Sequence, residues 1–269
     1  MIKLIAIDLD GTLLTKNRMI SDENKQAIKE AKEQGIKVVL CTGRPLLGMV
    51  DYLEELNLRE SGDYGITYNG GLVQKTDSGE VLSQKTLSKS EVLELYKLSQ
   101  DINVPCNFID LERVYEPPYP IGRESFYPEV MNALPFVPVS PENFPKDIAV
   151  NKVVFCYEEE TLDEAITKIP SEFFGRFTLM KSRPFLLELL NKEVDKGKGI
   201  AILCGLLGIE SHEVMAIGDE ANDFAMIEFA GMGVAMDNAT SEIKNIAQFV
   251  TKHHDDHGVA HAIRKFALK

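Results

Sequence analysis

The sequence predicts an α/β fold: a doubly wound, mostly parallel sheet whose chain is interrupted by a second, smaller α/β domain. Three observations carry this. Short apolar runs alternate with segments of helical pattern near both ends of the chain. Several of these runs stop abruptly at small polar or acidic residues, Asp8–Thr12, Thr42–Arg44 and Gly218–Asp219, as strands do where open sheets bind ligands. Between about residues 84 and 189 the composition changes, with nine prolines from Pro105 to Pro145 punctuating short strands and helices. The expected division is therefore residues 1–83 with 190–269 as a core domain and 84–189 as an inserted domain.

In order, Ile2 to Ile7 reads as a buried parallel strand. Ser21 suits an N-cap for a helix from Asp22 to Gln34, which Gly35 stops. Ile36 to Cys41 is a second strand, and Pro45 fits the first turn of a helix reaching Asn57. Gly65 to Tyr68 reads as a third strand, followed by a hairpin of Leu72–Lys75 and Val81–Lys85 around Asp77-Ser78-Gly79. Ser88 and Glu91 form a capping-box pattern opening a helix to Ile102. After the insertion come a helix from Lys196 to Leu207 closed by Gly208, a strand Val214–Ile217 and a helix Ala221–Ala230. A strand Gly231–Ala235 and helices Ser241–Ala247 and Val259–Phe266 complete the pattern.

Composition narrows the function. The chain has 269 residues, 44% of them hydrophobic, enough for one large domain or two. A net charge of -13 opposes nucleic acid or an anionic membrane as partner, while leaving room for a small anion at a locally positive site. The four cysteines, Cys41, Cys106, Cys156 and Cys204, are far apart and form no C-x-x-C, which predicts free thiols in a reducing cytoplasm. No signal peptide or membrane span is expected, since Asp8 and Asp10 interrupt the first apolar run and no other run is long enough.

Carboxylates at the end of a buried strand need a reason, because an unpaired buried charge is very unfavourable. In Asp8-Leu9-Asp10-Gly11-Thr12, two carboxylates two residues apart share a side of an extended chain. They can bind a hard cation, or one can attack while the other moves protons. Gly11 and Thr12 read as the residues that turn the chain away. Asp219 can join Asp8 in holding Mg²⁺, Thr42 offers a hydroxyl and nearby amides to phosphate oxygens, and Lys196 offers a compact cation. Each alone is ordinary: a lysine at a helix start is usually solvated, and Thr42 or Asp219 could be no more than caps. Converging on one sheet edge, they suggest phosphoryl transfer, which needs little beyond positioning and charge neutralisation.

These residues carry a resemblance. Asp8-Leu9-Asp10-Gly11-Thr12, Thr42-Gly43-Arg44-Pro45, Lys196-Gly197 and Gly218-Asp219-Glu220-Ala221-Asn222-Asp223 resemble, in order, the four motifs of the haloacid dehalogenase (HAD) superfamily, specifically its Cof-type phosphatases. Val81 to Leu87 and Lys181 to Val194 are similar to the YidA-type sugar phosphatases within it. The resemblance implies a Rossmann-like core with a C2-type α/β cap, and a Mg²⁺-dependent phosphatase of small phosphorylated metabolites, most of all sugar phosphates. It implies Asp8 as the nucleophile that forms an aspartyl-phosphate and Asp10 as the acid, then base. Mg²⁺ would sit on Asp8, the Asp10 carbonyl and Asp219. Thr42 and Lys196, with Leu9, Gly43 and Arg44, would bind phosphate; Asn222 would touch phosphate or substrate, and Asp223 would support Lys196 or a metal-bound water. Asp10 separates this pattern from the family's dehalogenases, which lack that acid/base group. The partner would be a small phosphomonoester, the protein a monomer or homodimer, and the cap large enough to close over a small molecule. A phosphosugar mutase and a non-enzymatic aspartyl-phosphate switch are the competing expectations.

Three further features are set aside. His253, His254, His257 and His261 cluster near the end, and His257 and His261 lie four apart on a predicted helix, but no cysteine is near to complete a metal site. Cys41 adjoins Thr42 without a histidine and reads as a buried thiol. Tyr115, Tyr119, Phe126 and Tyr127 could line a sugar, yet such aromatics usually build core.

Overall fold

In the computed structural model, which describes residues 1–145 and 148–268, the first apolar run forms β1 (Leu4–Ile7), with all four residues buried. A helix α1 (Asp22–Glu33) follows; the Ser21 hydroxyl accepts the Asn24 N–H, acids occupy its first turn and Lys32 its last, as the helix dipole favours. Then come β2 (Lys37–Cys41), a 3₁₀ turn over Leu46–Met49 and a short α2 (Val50–Glu55). The expected single helix after Pro45 is thus two pieces. The chain continues through β3 (Tyr64–Thr67), β4 (Leu72–Lys75) and β5 (Val81–Gln84).

The inserted segment contains α3 (Lys89–Asp101), β6 (Cys106–Ile109), β7 (Val114–Glu116), α4 (Tyr127–Val130), β8 (Phe136–Pro138), β9 (Lys152–Cys156), α5 (Glu159–Ile166), α6 (Ser171–Arg176), β10 (Phe177–Arg183) and β11 (Leu186–Asn191). The capping box expected at Ser88 and Glu91 is present. The last part adds α7 (Lys196–Leu207), β12 (Val214–Gly218), α8 (Phe224–Phe229), β13 (Met232–Ala235), α9 (Ser241–Ile246), β14 (Phe249–Val250) and α10 (Gly258–Phe266). Gly208 ends α7 in the left-handed region, as expected.

Two units result: Met1–Gln84 with Asp195–Lys269, and Lys85–Val194. The boundary expected at residues 189/190 falls inside β11, whose antiparallel pairing with β10 and β9 keeps that strand whole in the inserted unit. The first unit holds an eight-stranded sheet in the order β14-β13-β12-β1-β2-β3-β4-β5, parallel up to β3 and antiparallel from β3 to β5. β1 lies between β2 and β12, so the strand order reverses beside it, where open α/β sheets bind ligands. Its core runs from Leu4 to Ile7 and from Val214 to Ile217, and extends under α1 and α10. Asn24 crosses inside this core, its side chain accepting the Ala260 N–H at 2.9 Å.

The second unit holds a six-stranded sheet ordered β10-β11-β9-β6-β7-β8, with β7 and β8 parallel and the other pairs antiparallel. Its own core includes Phe108, Phe144, Val153, Phe155 and Leu189. Among the described residues no helix is long and apolar enough to cross a membrane. All four cysteines are free and buried.

Candidate active site

The parallel register explains why residues far apart in sequence meet. Ile7 lies opposite Leu40 on β2 and Ile217 on β12, and Cys41 lies opposite Ile66 on β3. One to three residues beyond these positions, Asp8, Thr42, Asn69 and Asp219 leave the same edge of the sheet. Asp8 is 7% exposed and Asp219 5%. Asp8, Asp219 and Asp223 place carboxylate oxygens within 4.8 Å of one another.

Lys196 holds the centre. It opens α7, whose N-cap Asp195 accepts the Lys198 N–H at 2.7 Å. Its side chain is fully buried and donates to Asp8 Oδ1 and Asp223 Oδ1, both at 2.6 Å. The turn before α7 passes unusually near the loop after β3: a Cβ on Gly70, at φ +95, would lie 2.0 Å from the Asp195 carbonyl. Only glycine permits that approach, which seats Lys196 in the interior. Asp223 uses its second oxygen to accept the N–H groups of Asp219 (2.8 Å) and Glu220 (3.1 Å). That backward reach accompanies a 3₁₀ turn over Ala221–Asp223, where the sequence predicted the first turn of an α-helix.

Charge follows geometry. Burial lifts the Asp8 carboxyl well above the usual range, Lys196 opposes this, and the charges of Asp223 and Asp219 add to it. Burial, then the charge of Asp223, push Asp219 up to about 7 against the Thr12 hydrogen bond. Burial works against the Lys196 ammonium, but Asp223 and Asp8 outweigh it and raise its pKa. Asp8 and Asp223 share one ammonium with Asp219 beside them, so the acids outnumber the cation, a set suited to a hard dication.

Asp10 behaves differently. Its side chain is 46% exposed, and Arg44 grips it with two donors, Nη2 to Oδ1 at 2.6 Å and Nε to Oδ2 at 3.0 Å. A third Arg44 donor, Nη1, reaches the Gly48 carbonyl at 3.3 Å. The guanidinium expected to face phosphate is thus engaged by Asp10, because a planar fork matches a carboxylate. Thr42 is buried, and its hydroxyl accepts the Arg44 N–H at 3.3 Å. Asn222 donates to Asn69 Oδ1 at 3.2 Å.

Sequence reasoning misread one residue and missed two. Thr12 is not merely a turn former: fully buried, it donates its hydroxyl to Asp219 Oδ1 at 2.7 Å. Gly11, at φ +80, leaves no room for a Cβ, which would lie 2.3 Å from Asp219 Oδ2. Asn69 is fully buried at φ 55, and its N–H donates to the Thr42 carbonyl at 2.9 Å, joining the loops after β2 and β3. Asn238, in the loop after β13, donates to the Gly11 carbonyl at 2.8 Å and to Asp219 Oδ2 at 3.3 Å. Both asparagines follow strands by a few residues, and the rule that ligand sites gather at those ends could have flagged them.

The features set aside stay outside the cluster. His257 sits at φ 60 before α10, with Nδ1 3.4 Å from Glu23, and His261 Nδ1 meets the Thr251 hydroxyl at 3.0 Å. His253, His254 and Asp255 gather nearby, but His254 Nδ1 bonds the Leu14 carbonyl at 2.8 Å and His253 Nδ1 accepts the Asp255 N–H at 3.2 Å. Burial pushes the Cys41 thiol up, away from reactivity. Tyr115 and Tyr127 are buried, and Phe126 stacks on Tyr157 with centroids 5.3 Å apart.

A buried carboxylate beside a lysine, with further acids, thus lies at the switch point of a doubly wound sheet, where such folds bind ligands. Residues 5–263 match the family model of haloacid dehalogenase-like hydrolases. The chain belongs to that family, as an enzyme of its phosphatase branch. It is 44% identical over 268 residues to the Bacillus subtilis protein named "Putative phosphatase YxeH", covering 100% of this chain and 99% of the relative. A haloacid dehalogenase-like hydrolase from Bacteroides thetaiotaomicron superposes with a TM-score of 0.84 at 32% identity, over 98% of this chain and 99% of its own. The HAD subclass IIB sugar phosphatase BT4131 superposes with a TM-score of 0.80 at 28% identity, over 98% of each chain.

Proposed function

We propose that the protein is a Mg²⁺-dependent phosphatase of small phosphomonoesters, sugar phosphates above all, working through an aspartyl-phosphate on Asp8. The observation that carries the reading is the Asp8–Lys196–Asp223 chain of 2.6 Å contacts beside Asp219. Lys196 orients the Asp8 carboxylate and offsets the charge that gathers when a phosphate arrives. Asp8 attacks phosphorus, the bond to the ester oxygen breaks, and Asp10 protonates the leaving oxygen. Asp10, now a carboxylate, takes a proton from the water that attacks the aspartyl-phosphate, releasing inorganic phosphate and restoring Asp8. Arg44 orients Asp10 for both steps through its two-pronged contact. The Thr42 hydroxyl and the Leu9 and Gly43 amides hold phosphoryl oxygens, and Asn222 contacts phosphate or substrate.

The donor set fits a hard dication. Two buried carboxyls, Asp8 and Asp219, are held above their usual range by burial and by the charges of neighbouring carboxylates, which a dication would offset. Asp8, Asp219 and the Asp10 carbonyl would hold Mg²⁺, while Asp223 spends its oxygens on Lys196 and two backbone N–H groups. When bound, the ion neutralises charge on the transferring phosphoryl group.

A sugar phosphate is supported by the likeness to BT4131, a HAD subclass IIB sugar phosphatase, which extends over 98% of each chain and so includes the inserted unit of this one. Free, buried thiols support a reducing compartment such as the cytoplasm, and the net charge of -13 opposes nucleic-acid partners. The test is phosphate release from a panel of sugar phosphates and p-nitrophenyl phosphate. Turnover is expected with Mg²⁺, none with chelator and none in Asp8→Asn, whose circular dichroism stays that of the parent. No release from any substrate, or a fully active Asp8→Asn, would refute the reading.

A further inference from the structure

We infer that Asn238 is a positioning residue that sets the affinity of the site for its divalent cation, an inference that rests on the Mg²⁺ reading above. Three hydrogen bonds converge on one amide. Its nitrogen donates to the Gly11 carbonyl at 2.8 Å and to Asp219 Oδ2 at 3.3 Å. Its oxygen accepts the His254 N–H at 3.1 Å. The orientation is fixed by chemistry: flipping the amide would set an oxygen against two acceptors and an NH₂ against a donor, losing all three bonds.

Asn238 thereby couples three loops. Gly11 belongs to the turn after Asp10, Asp219 to the turn after β12, and His254 to the turn before α10. The His254 turn is itself fastened to the chain beyond Asp10. His254 Nδ1 bonds the Leu14 carbonyl at 2.8 Å, and Asp255 Oδ1 accepts the Lys16 N–H at 3.0 Å. The loop carrying Asn238 is in turn fixed to Asp219, because the Thr240 N–H donates to the Asp219 carbonyl at 3.0 Å.

The consequence lies on the Asp219 carboxylate. Thr12 donates to Oδ1 and Asn238 to Oδ2, so each oxygen has one neutral donor and the group cannot swing. A neutral donor pair orients a ligand without supplying a competing positive charge. The same amide fixes the carbonyl of Gly11, the peptide after the one whose carbonyl, that of Asp10, is expected on the metal. Without Asn238, one Asp219 oxygen and the Gly11 carbonyl lose their shared donor, and the two loops lose one of their ties.

The test titrates Mg²⁺ by calorimetry into wild type and Asn238→Ala, with activity measured against Mg²⁺ concentration. We expect the dissociation constant of Asn238→Ala to rise about 10- to 100-fold. Turnover at saturating Mg²⁺ should stay within a few-fold of wild type, and the KM for substrate should hardly move. Circular dichroism and the melting temperature in chelator should match wild type within a few degrees. An unchanged Mg²⁺ affinity in Asn238→Ala would overturn the inference, as would a loss of affinity accompanied by a collapse of melting temperature in chelator. Failure of wild type itself to bind Mg²⁺ would instead refute the metal reading and take this inference with it. Asn238→Ser, with a shorter donor, should bind Mg²⁺ with intermediate affinity; it decides the matter if alanine does not fold, and wild-type affinity there would again overturn the inference.

Discussion

At the scale of single residues, the site separates two aspartates that look alike in sequence. Asp8 is buried on Lys196, while Asp10 is half-exposed and held by Arg44. Asp219 carries a pH signature. Its folded-state pKa, about 7, lies above that of an unfolded aspartate, about 3.9, so the folded chain binds the extra proton between those values. Stability in chelator therefore falls as pH rises from about 4 to 7, and Asp219→Asn removes that component. Denaturant melts at pH 5 and pH 8 with chelator should show Asp219→Asn gaining about 2–3 kcal/mol on wild type between the two. An equal difference at both pH values would contradict the raised carboxyl. The legible residues were the polar groups at strand ends, Asp8, Thr42 and Asp219, together with Lys196 at the start of a helix. Asn238 and Asn69 were not, because an asparagine in a loop serves many turns and nothing local reveals a partner 153 or 227 residues away.

At the scale of elements, caps and glycines were read well and continuity poorly. Ser21, Ser88 and Gly208 punctuate α1, α3 and α7 where their side-chain and backbone chemistry requires. The helices expected after Pro45 and from Ala221 are each split by 3₁₀ turns. In the second, tertiary contacts decide, since Asp223 turns its carboxylate back to two N–H groups and to Lys196. In the inserted sheet, Lys152 of β9 and Glu188 of β11 pair at 3.0 Å, with side chains 3% and 5% exposed. Breaking such a pair leaves a buried charge, whereas replacing both partners need not. Glu188→Leu should lower unfolding free energy by about 3–5 kcal/mol, and adding Lys152→Met should restore most of it. If the double variant were less stable than the single one by chemical denaturation, the pair would hold the sheet together in some other way.

At the scale of the whole molecule, the chain makes two units, each with its own sheet and its own apolar core. Alternating apolar runs and helices made the first unit legible. The change to proline-rich, short elements marked the second, but its far boundary was set too early, inside β11, because strand pairing leaves no trace in composition. The thiols report on both units at once: Cys41 and Cys204 lie in the first and Cys106 and Cys156 in the second, all buried. Burial pushes Cys106 and Cys156 up to about 12 and Cys204 to about 11. A thiol-reactive dye should label none of them rapidly in the native protein and all four after denaturation. Fast labelling of the native chain would show that one of the cores opens readily.

The central claim, that Asp8 carries the phosphoryl group, is tested most directly by trapping it. Asp10→Asn removes the base needed for the second step and should slow turnover by about 10²–10⁴-fold. Mixed with p-nitrophenyl phosphate and Mg²⁺, then quenched in acid, that variant should yield a peptide containing Asp8 that is heavier by one phosphoryl group. Turnover in wild type with no adduct on Asp8 in either protein, or an adduct on another residue, would contradict the account.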